Sequence, residues 1–216
     1  MLINWNQYLS RYQQSKGGLF FGAMSDAYDS HLILTEGEET PLLVWVDTDP
    51  SDDAFEHNIL ARAMVQLQGE YDLHIQPRTL VGGFANFMKG DSGFGHSEAV
   101  RGRGITCSNK FFAQQILADP GVCEGLSMWK KVYLKIRPAP QGDGWHVVEI
   151  ADINFEGTPV SGSHWISDPM LKDFSRLSDE DREVLLQAGS RHFNEQMDAF
   201  LNFLRAARRA ALEANP

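Results

Sequence analysis

Three aspartates follow one apolar segment closely enough to share a metal ion. Residues 42–46 are all apolar, and Asp47, Asp49 and Asp53 come directly after them. A segment of this composition is typical of a buried strand, and carboxylate oxygens are the ligands that Mg²⁺ and Ca²⁺ prefer. The spacing makes Asp47, Asp49 and Asp53 a candidate metal site. The alternative is that these acidic residues shape a turn and cap a following helix.

The strand that ends in Asp-x-Asp resembles the nucleophile motif of haloacid-dehalogenase-type phosphotransferases. The resemblance covers only this stretch, and it implies that Asp47 attacks phosphorus while Asp49 serves as acid and base beside Mg²⁺. That family also needs a later acidic pair at the end of an apolar strand. The best pair in this chain, Asp179 and Asp181, opens a predicted helix instead.

A second set of reactive side chains lies in the glycine-rich stretch 82–104. Seven glycines are interleaved there with phenylalanines and with four basic residues, Lys89, His96, Arg101 and Arg103. Glycines let main-chain amides approach an anion, and arginine can hold carboxylate or phosphate through two parallel hydrogen bonds. We therefore predict that these four residues bind a small anionic ligand. Solubilising charge on a long loop is the alternative.

Composition and charge narrow the classes of function. The chain has 216 residues and a net charge of -10, which argues against general binding to nucleic acid because such binding depends on cations that neutralise phosphates. Its two cysteines form no CxxC pair, which favours a reducing compartment. We expect no signal peptide and no membrane span, since no window approaches the ~20 apolar residues that a span needs. The sequence thus predicts a cytoplasmic protein.

Hydrophobic periodicity predicts helices at 52–68, 109–128 and 179–212. In the first, Phe55, Ile59, Ala63 and Leu67 recur every four residues. Asp119-Pro120 is expected to interrupt the second helix. The last helix has a start at Ser178 that resembles a capping box, with Asp181 in place of the usual Glu or Gln. Gly189-Ser190 leaves open whether this helix breaks or continues. Alternation and turn residues predict seven strands, at 19–23, 31–35, 42–46, 71–77, 105–107, 131–136 and 145–150. The glycine-containing turn at 141–144 predicts that the last two strands form a hairpin.

These elements predict an α+β fold: a mixed, mainly antiparallel sheet covered by three or more helices, with a long C-terminal helical segment. The chain is expected to form one domain over 1–216. If there are two domains, the predicted division is 1–88 and 105–216, separated by the glycine-rich loop 89–104.

Two functions follow from these residues. The first is a non-enzymatic domain that binds a small anionic ligand or a protein partner. The second is a metal-dependent hydrolase or phosphotransferase that uses Asp47, Asp49 and Asp53. We expect no cofactor unless the acidic turn binds Mg or Ca. The apolar stripe of the C-terminal helix predicts packing on the core or a homodimer through that helix.

Overall fold

The computed structural model describes residues 5–22, 30–35, 37–48, 57–77, 99–152 and 178–215. Within these ranges the chain forms four helices and eight strands. The helices are α1 (Trp5–Lys16), α2 (Lys110–Ala118), α3 (Pro120–Met128) and α4 (Asp179–Glu213). The strands are β1 (Leu19–Phe21), β2 (Ser30–Leu34), β3 (Leu42–Thr48), β4 (His57–Gln66), β5 (Leu73–Pro77), β6 (Arg103–Cys107), β7 (Val132–Pro138) and β8 (Trp145–Asp152).

The strands form one eight-stranded sheet in the order β1-β2-β3-β4-β8-β7-β5-β6. Every pairing whose register is described is antiparallel. Strands β7 and β8 form the hairpin that the sequence predicted. Gly142, Asp143 and Gly144 in its turn all have positive φ, which glycine adopts at little cost. The predicted α+β class and mainly antiparallel sheet are confirmed.

The helix predicted at 52–68 is wrong where the structure describes it, because residues 57–66 form β4. The buried positions there are Ile59, Ala61, Ala63 and Val65, which alternate as in a strand. A spacing of four is a multiple of the strand period of two, so Ile59 and Ala63 fit both structures. Leu60 and Met64 are half-buried on the opposite face, which broadened the apparent helical stripe.

Helices α2 and α3 confirm the helical segment predicted at 109–128. Asn109 caps α2, since its side-chain oxygen accepts a hydrogen bond from Phe112 N at 3.0 Å. Asp119 interrupts the segment and caps α3: its Oδ1 accepts from Gly121 N at 2.8 Å and Val122 N at 3.0 Å. Arg209 of α4 donates to the other carboxylate oxygen of Asp119 at 2.9 Å. One side chain therefore fixes the start of α3 and ties it to α4.

Replacing Asp119 by alanine is expected to lower the free energy of unfolding by about 1–2 kcal/mol, because the cap and the ion pair are both lost. Asp119→Asn should cost less, since asparagine caps nearly as well. Burial raises the pKa of Asp119, but Arg209 and the amides of α3 together lower it below its ordinary value. The carboxylate therefore stabilises the fold above pH 3.8 and loses that effect as the pH falls through its folded pKa. Urea titrations of the two variants at neutral pH measure the loss in the free energy of unfolding. Equal losses for Asp119→Ala and Asp119→Asn would contradict the capping role.

Helix α4 is one continuous helix of 35 residues, with no break at Gly189. Ser178 starts it as predicted, with its hydroxyl accepting from Asp181 N at 3.1 Å and donating to the Asp181 carboxylate at 2.6 Å. Gly189 and Ser190 are buried, so both pack inside the protein instead of ending the helix. In the part of the chain that the structure describes, no helix is long and apolar enough to cross a membrane.

The apolar stripe of α4 is buried within the chain itself. Its fully buried members are Phe193, Met197, Phe200, Leu201, Leu204, Ala207 and Ala211. The predicted core packing of this helix is therefore confirmed. A homodimer through α4 stays a prediction, and it would have to use the opposite, polar face.

Backbone contacts divide the chain into two compact units, residues 1–59 with 153–199 and residues 60–152 with 200–216. The division between them falls within β4 and within α4. Whether the chain behaves as one domain stays a prediction.

In the first unit, α1 packs against β2 and against the N-terminal part of α4. Phe193 stacks on Tyr8 with ring centroids 5.4 Å apart and meets Tyr12 edge-on at 6.2 Å. The Tyr12 hydroxyl donates to Asp198 at 2.6 Å, and Lys16 reaches the same carboxylate at 2.8 Å. Burial raises the pKa of Tyr8 to about 12, so its hydroxyl stays protonated at neutral pH. This aromatic contact holds α1 on the helix.

Candidate functional site

The predicted metal site lies mostly outside the described residues. Asp47 belongs to the end of β3, but its side chain is not described, and Asp49 and Asp53 lie outside the described ranges. Among the residues that are described, no three His, Cys, Asp or Glu side chains come together in a way that could hold a metal ion. Metal binding by Asp47, Asp49 and Asp53 stays a prediction.

The predicted anion-binding residues divide into two groups. Lys89 and His96 lie outside the described ranges, and Arg101 is exposed in the turn before β6. Arg103 is only 4% exposed, and its guanidinium donates to the carbonyl oxygens of Val132 at 2.8 Å, Leu126 at 2.7 Å and Trp129 at 2.7 Å.

Arg103 therefore joins the end of α3 to the start of β7. Binding of a ligand by Arg103 stays a prediction. Such binding would cost free energy, because three buried carbonyl oxygens would each lose the hydrogen bond that Arg103 donates to them.

Other groups with chemical potential have structural roles. His146 is 1% exposed; its Nε2 accepts from Tyr71 N at 3.1 Å, and its Nδ1 lies 2.9 Å from Gly144 O. These contacts require a neutral ring with the proton on Nδ1. Burial raises the pKa of the Cys107 thiol, which disfavours the nucleophilic thiolate. A cavity of about 230 Å³ beside Pro120 and Ala214 is bordered by Asp119, whose carboxylate is occupied by α3 and Arg209.

The two faces of the sheet in the second unit differ in chemistry. One face is apolar and fully buried, with Leu73, Ile75, Val132, Leu134, Ile136, Val148 and Ile150 as its main members. The other face carries the alternate residues, and many of these are polar and half-buried. On β7 they are Tyr133, Lys135 and Arg137, which lie opposite Ala151, Glu149 and Val147 of β8.

Glu149 is the centre of the polar face. Its side chain is 6% exposed, and Oε2 accepts from Arg62 Nε of β4 at 2.7 Å. Lys135 Nζ lies 3.7 Å from Oε1, and Arg137 Nη2 lies 3.6 Å from Oε2. These two distances exceed hydrogen-bond length, so both cations keep donors for another acceptor. The side chains of Arg62, Lys135 and Arg137 are 38%, 39% and 52% exposed, which leaves them accessible.

His74 and Tyr133 extend this face toward β5. Their rings are stacked with centroids 6.3 Å apart and planes 26° apart, and His74 lies opposite Lys135 in the strand register. Burial lowers the pKa of His74 and the positive charge of Lys135 lowers it further, and together these effects outweigh the opposite effect of the Asp72 and Glu149 carboxylates. The ring is therefore neutral at pH 7. Its Nε2 is buried, and no described residue forms a hydrogen bond with it.

We define the sheet-face cluster as Arg62, His74, Tyr133, Lys135, Arg137 and Glu149. Comparisons of the chain with family models, with curated proteins and with solved structures gave no match. The chemistry of this site therefore has to be inferred from its own residues. Three partly exposed cations around one buried carboxylate can bind a carboxylate or phosphate ligand through charge-assisted hydrogen bonds.

Sequence reasoning missed this cluster, although part of its signal was present. The alternation over 131–136 already placed Tyr133 and Lys135 on one face of a strand. The hairpin turn would then have set Lys135 near Glu149. Arg62 could not be added, because its segment was interpreted as a helix.

Proposed function

We propose that this protein is a non-enzymatic binding domain whose sheet-face cluster holds a small anionic ligand. The observation that carries the proposal is the cluster's imbalance of charge. In the part of the chain that the structure describes, Arg62, Lys135 and Arg137 surround one carboxylate, that of Glu149, and of these three cations Arg62 is the one that hydrogen-bonds to it. The remaining donors favour an anion supplied from outside the chain.

The placement of Glu149 also supports binding. A buried carboxylate is costly unless cations pair with it, so Glu149 requires Arg62, Lys135 and Arg137 to stay near it. Long cationic side chains lose much rotamer freedom when they bind a ligand. A carboxylate that already draws them together reduces that loss, and Glu149 thus prepares the site for an anion.

A small anionic ligand is the class that the sequence predicted, but we place it at the sheet-face cluster instead of the glycine-rich stretch. Lys89, His96 and Arg101 remain hypotheses for additional contacts from the glycine-rich stretch. Both cysteines are free thiols, which supports a reducing, cytoplasmic location. A protein partner with an acidic surface would meet the same cations and is the second occupant that we consider.

Replacing Arg137 by glutamine is expected to weaken the binding of inorganic phosphate or citrate about tenfold or more. Arg137 is the most exposed cation of the cluster, and one charge-assisted hydrogen bond contributes about 1.5–3 kcal/mol. Isothermal titration calorimetry at low ionic strength measures the change. Arg191→Gln is the matched control, because it removes the same charge from an exposed position of α4. Equal affinities for the two variants, or no binding by the wild type, would contradict the proposal.

A further inference from the structure

Part of the sheet-face cluster belongs to a continuous polar row that crosses four strands. Thr106 of β6 lies opposite His74 of β5, His74 lies opposite Lys135 of β7, and Lys135 lies opposite Glu149 of β8. Neighbouring strands are about 4.8 Å apart. Arg62 of β4 extends the row through its hydrogen bond to Glu149. The row therefore passes from a cationic end at Arg62 to an uncharged end at His74 and Thr106.

The uncharged end has an aromatic surface. Tyr133 precedes Lys135 by two residues on the same face, at a separation of about 7 Å along the strand. Its ring stacks with that of His74, and both side chains are half-buried. Aromatic side chains beside cations are the usual elements of a surface on which a planar ring stacks while an acidic group is held nearby.

The Nε2 atom of His74 points to a hydrogen-bonding ligand at this end. It is buried and has no hydrogen-bond partner among the residues that the structure describes. A buried polar atom without a partner is uncommon, and a ligand group is one way in which it becomes satisfied. Because the neutral ring adds no charge, His74 is suited to a hydroxyl, amide or ring nitrogen and not to the acidic group.

The cationic end has the charge that suits a dianion. Among the described residues Arg62, Lys135 and Arg137 face one carboxylate, which leaves an excess of two positive charges within the sheet-face cluster. A phosphate monoester carries a charge of about -1.5 to -2 at pH 7 and offers three acceptor oxygens. A monocarboxylate would neutralise only half of this excess.

From this arrangement we infer that the ligand is a small phosphate monoester that carries a planar ring, which is the chemistry of a mononucleotide. The inference rests on the proposed function and adds the class of ligand. The phosphate lies among Arg62, Lys135 and Arg137, and the ring lies against Tyr133 and His74. The net charge of -10 disfavours a nucleic acid polymer, whose many phosphates the whole surface would repel.

Four probes separate the two ends of the site by calorimetric titration: inorganic phosphate, ribose 5-phosphate, adenosine and adenosine 5′-monophosphate. We expect the monophosphate nucleotide to bind about tenfold more tightly than ribose 5-phosphate, because only the nucleotide stacks. Adenosine should bind most weakly, since it lacks the charge. Equal affinities for the nucleotide and ribose 5-phosphate would overturn the inference and leave the proposed function standing. If no phosphate compound bound, both the inference and the proposed function would be contradicted.

Two variants locate the ring. Tyr133→Leu should reduce nucleotide affinity to that of ribose 5-phosphate, so that the preference for the nucleotide disappears. His74→Phe keeps the stacking surface but loses Nε2, so it should weaken the nucleotide several-fold relative to ribose 5-phosphate. The circular dichroism spectrum and urea midpoint of each variant control for folding. Arg137→Gln should weaken all three phosphates alike. If Tyr133→Leu left the preference for the nucleotide intact, the ring would not lie on Tyr133.

Discussion

Glu149→Ala is expected to lower the free energy of unfolding by about 2–3 kcal/mol. Breaking a fully buried ion pair costs about 3–5 kcal/mol. Here the three cations are 38%, 39% and 52% exposed, so water screens part of their repulsion once the carboxylate is gone. Urea unfolding at low ionic strength measures the loss. The cost should shrink at high salt, because counterions then screen the cations.

Two comparisons make the Glu149 result specific. Glu149→Gln preserves the shape of the side chain, and it should still be clearly destabilising because its amide cannot neutralise the cations. Glu195→Gln removes the same charge from an exposed position of α4 and should change stability by less than about 0.5 kcal/mol. A loss no larger than that of Glu195→Gln would mean that Glu149 does not organise the cluster.

Phe193→Ala is expected to cause the largest loss of stability, about 3–5 kcal/mol. The ring is 0% exposed and lies against Tyr8 and Tyr12, so truncation leaves a cavity between α1 and α4. The contact of α1 with the helix depends on this ring more than on its surface ion pairs, which are individually weak. Urea unfolding followed by tyrosine fluorescence or circular dichroism measures the change.

Phe111→Ala provides the matched control for Phe193. It removes the same atoms from a side chain that is 63% exposed on α2. The expected change is within about 0.5 kcal/mol. Phe193→Leu should cost much less than Phe193→Ala, because leucine fills most of the cavity. If the two alanine variants were equally stable, the aromatic contact would not hold α1 in place.

Local patterns predicted most of the fold. The hairpin β7-β8, the capping box at Ser178 and the interruption at Asp119 all depend on residues near one another in sequence, and all three are confirmed. Strand β4 was missed because the spacing of Ile59 and Ala63 fits both the helical period and the strand period of two. Ala61 and Val65 complete the alternation of buried residues that indicates a strand. Alanine, however, contributes little to a hydrophobic pattern, so this alternation was not recognised.

The continuity of α4 was open for a different reason. Glycine costs a helix about 1 kcal/mol relative to alanine, and Gly189 was therefore a reasonable point for a break. In the structure Gly189 and Ser190 are buried, and the apolar stripe continues on both sides of them. Tertiary packing outweighs the low helical propensity of glycine. A local sequence pattern cannot predict this, because it contains no information on how well Gly189 and Ser190 pack.

The sheet-face cluster shows where sequence reasoning reaches its limit. Arg62 and Glu149 are 87 residues apart, and their contact depends on β4 and β8 being neighbours in the sheet. Neither residue belongs to a motif. The strand Leu42–Thr48 and its aspartates attracted attention because their residues are adjacent in sequence, whereas the cluster is assembled only by strand order.

The most direct test of the account is a two-dimensional ¹H–¹⁵N nuclear magnetic resonance titration with inorganic phosphate. Binding at the sheet-face cluster predicts that the amide shifts concentrate in β7 at Tyr133–Arg137 and in β8 at Val147–Ala151, and that Arg137→Gln needs about tenfold more phosphate or higher to produce them. Shifts confined to residues 82–104 would instead support the site predicted from the glycine-rich stretch. That outcome, or the absence of any shift, would contradict the claim that the sheet face binds an anion.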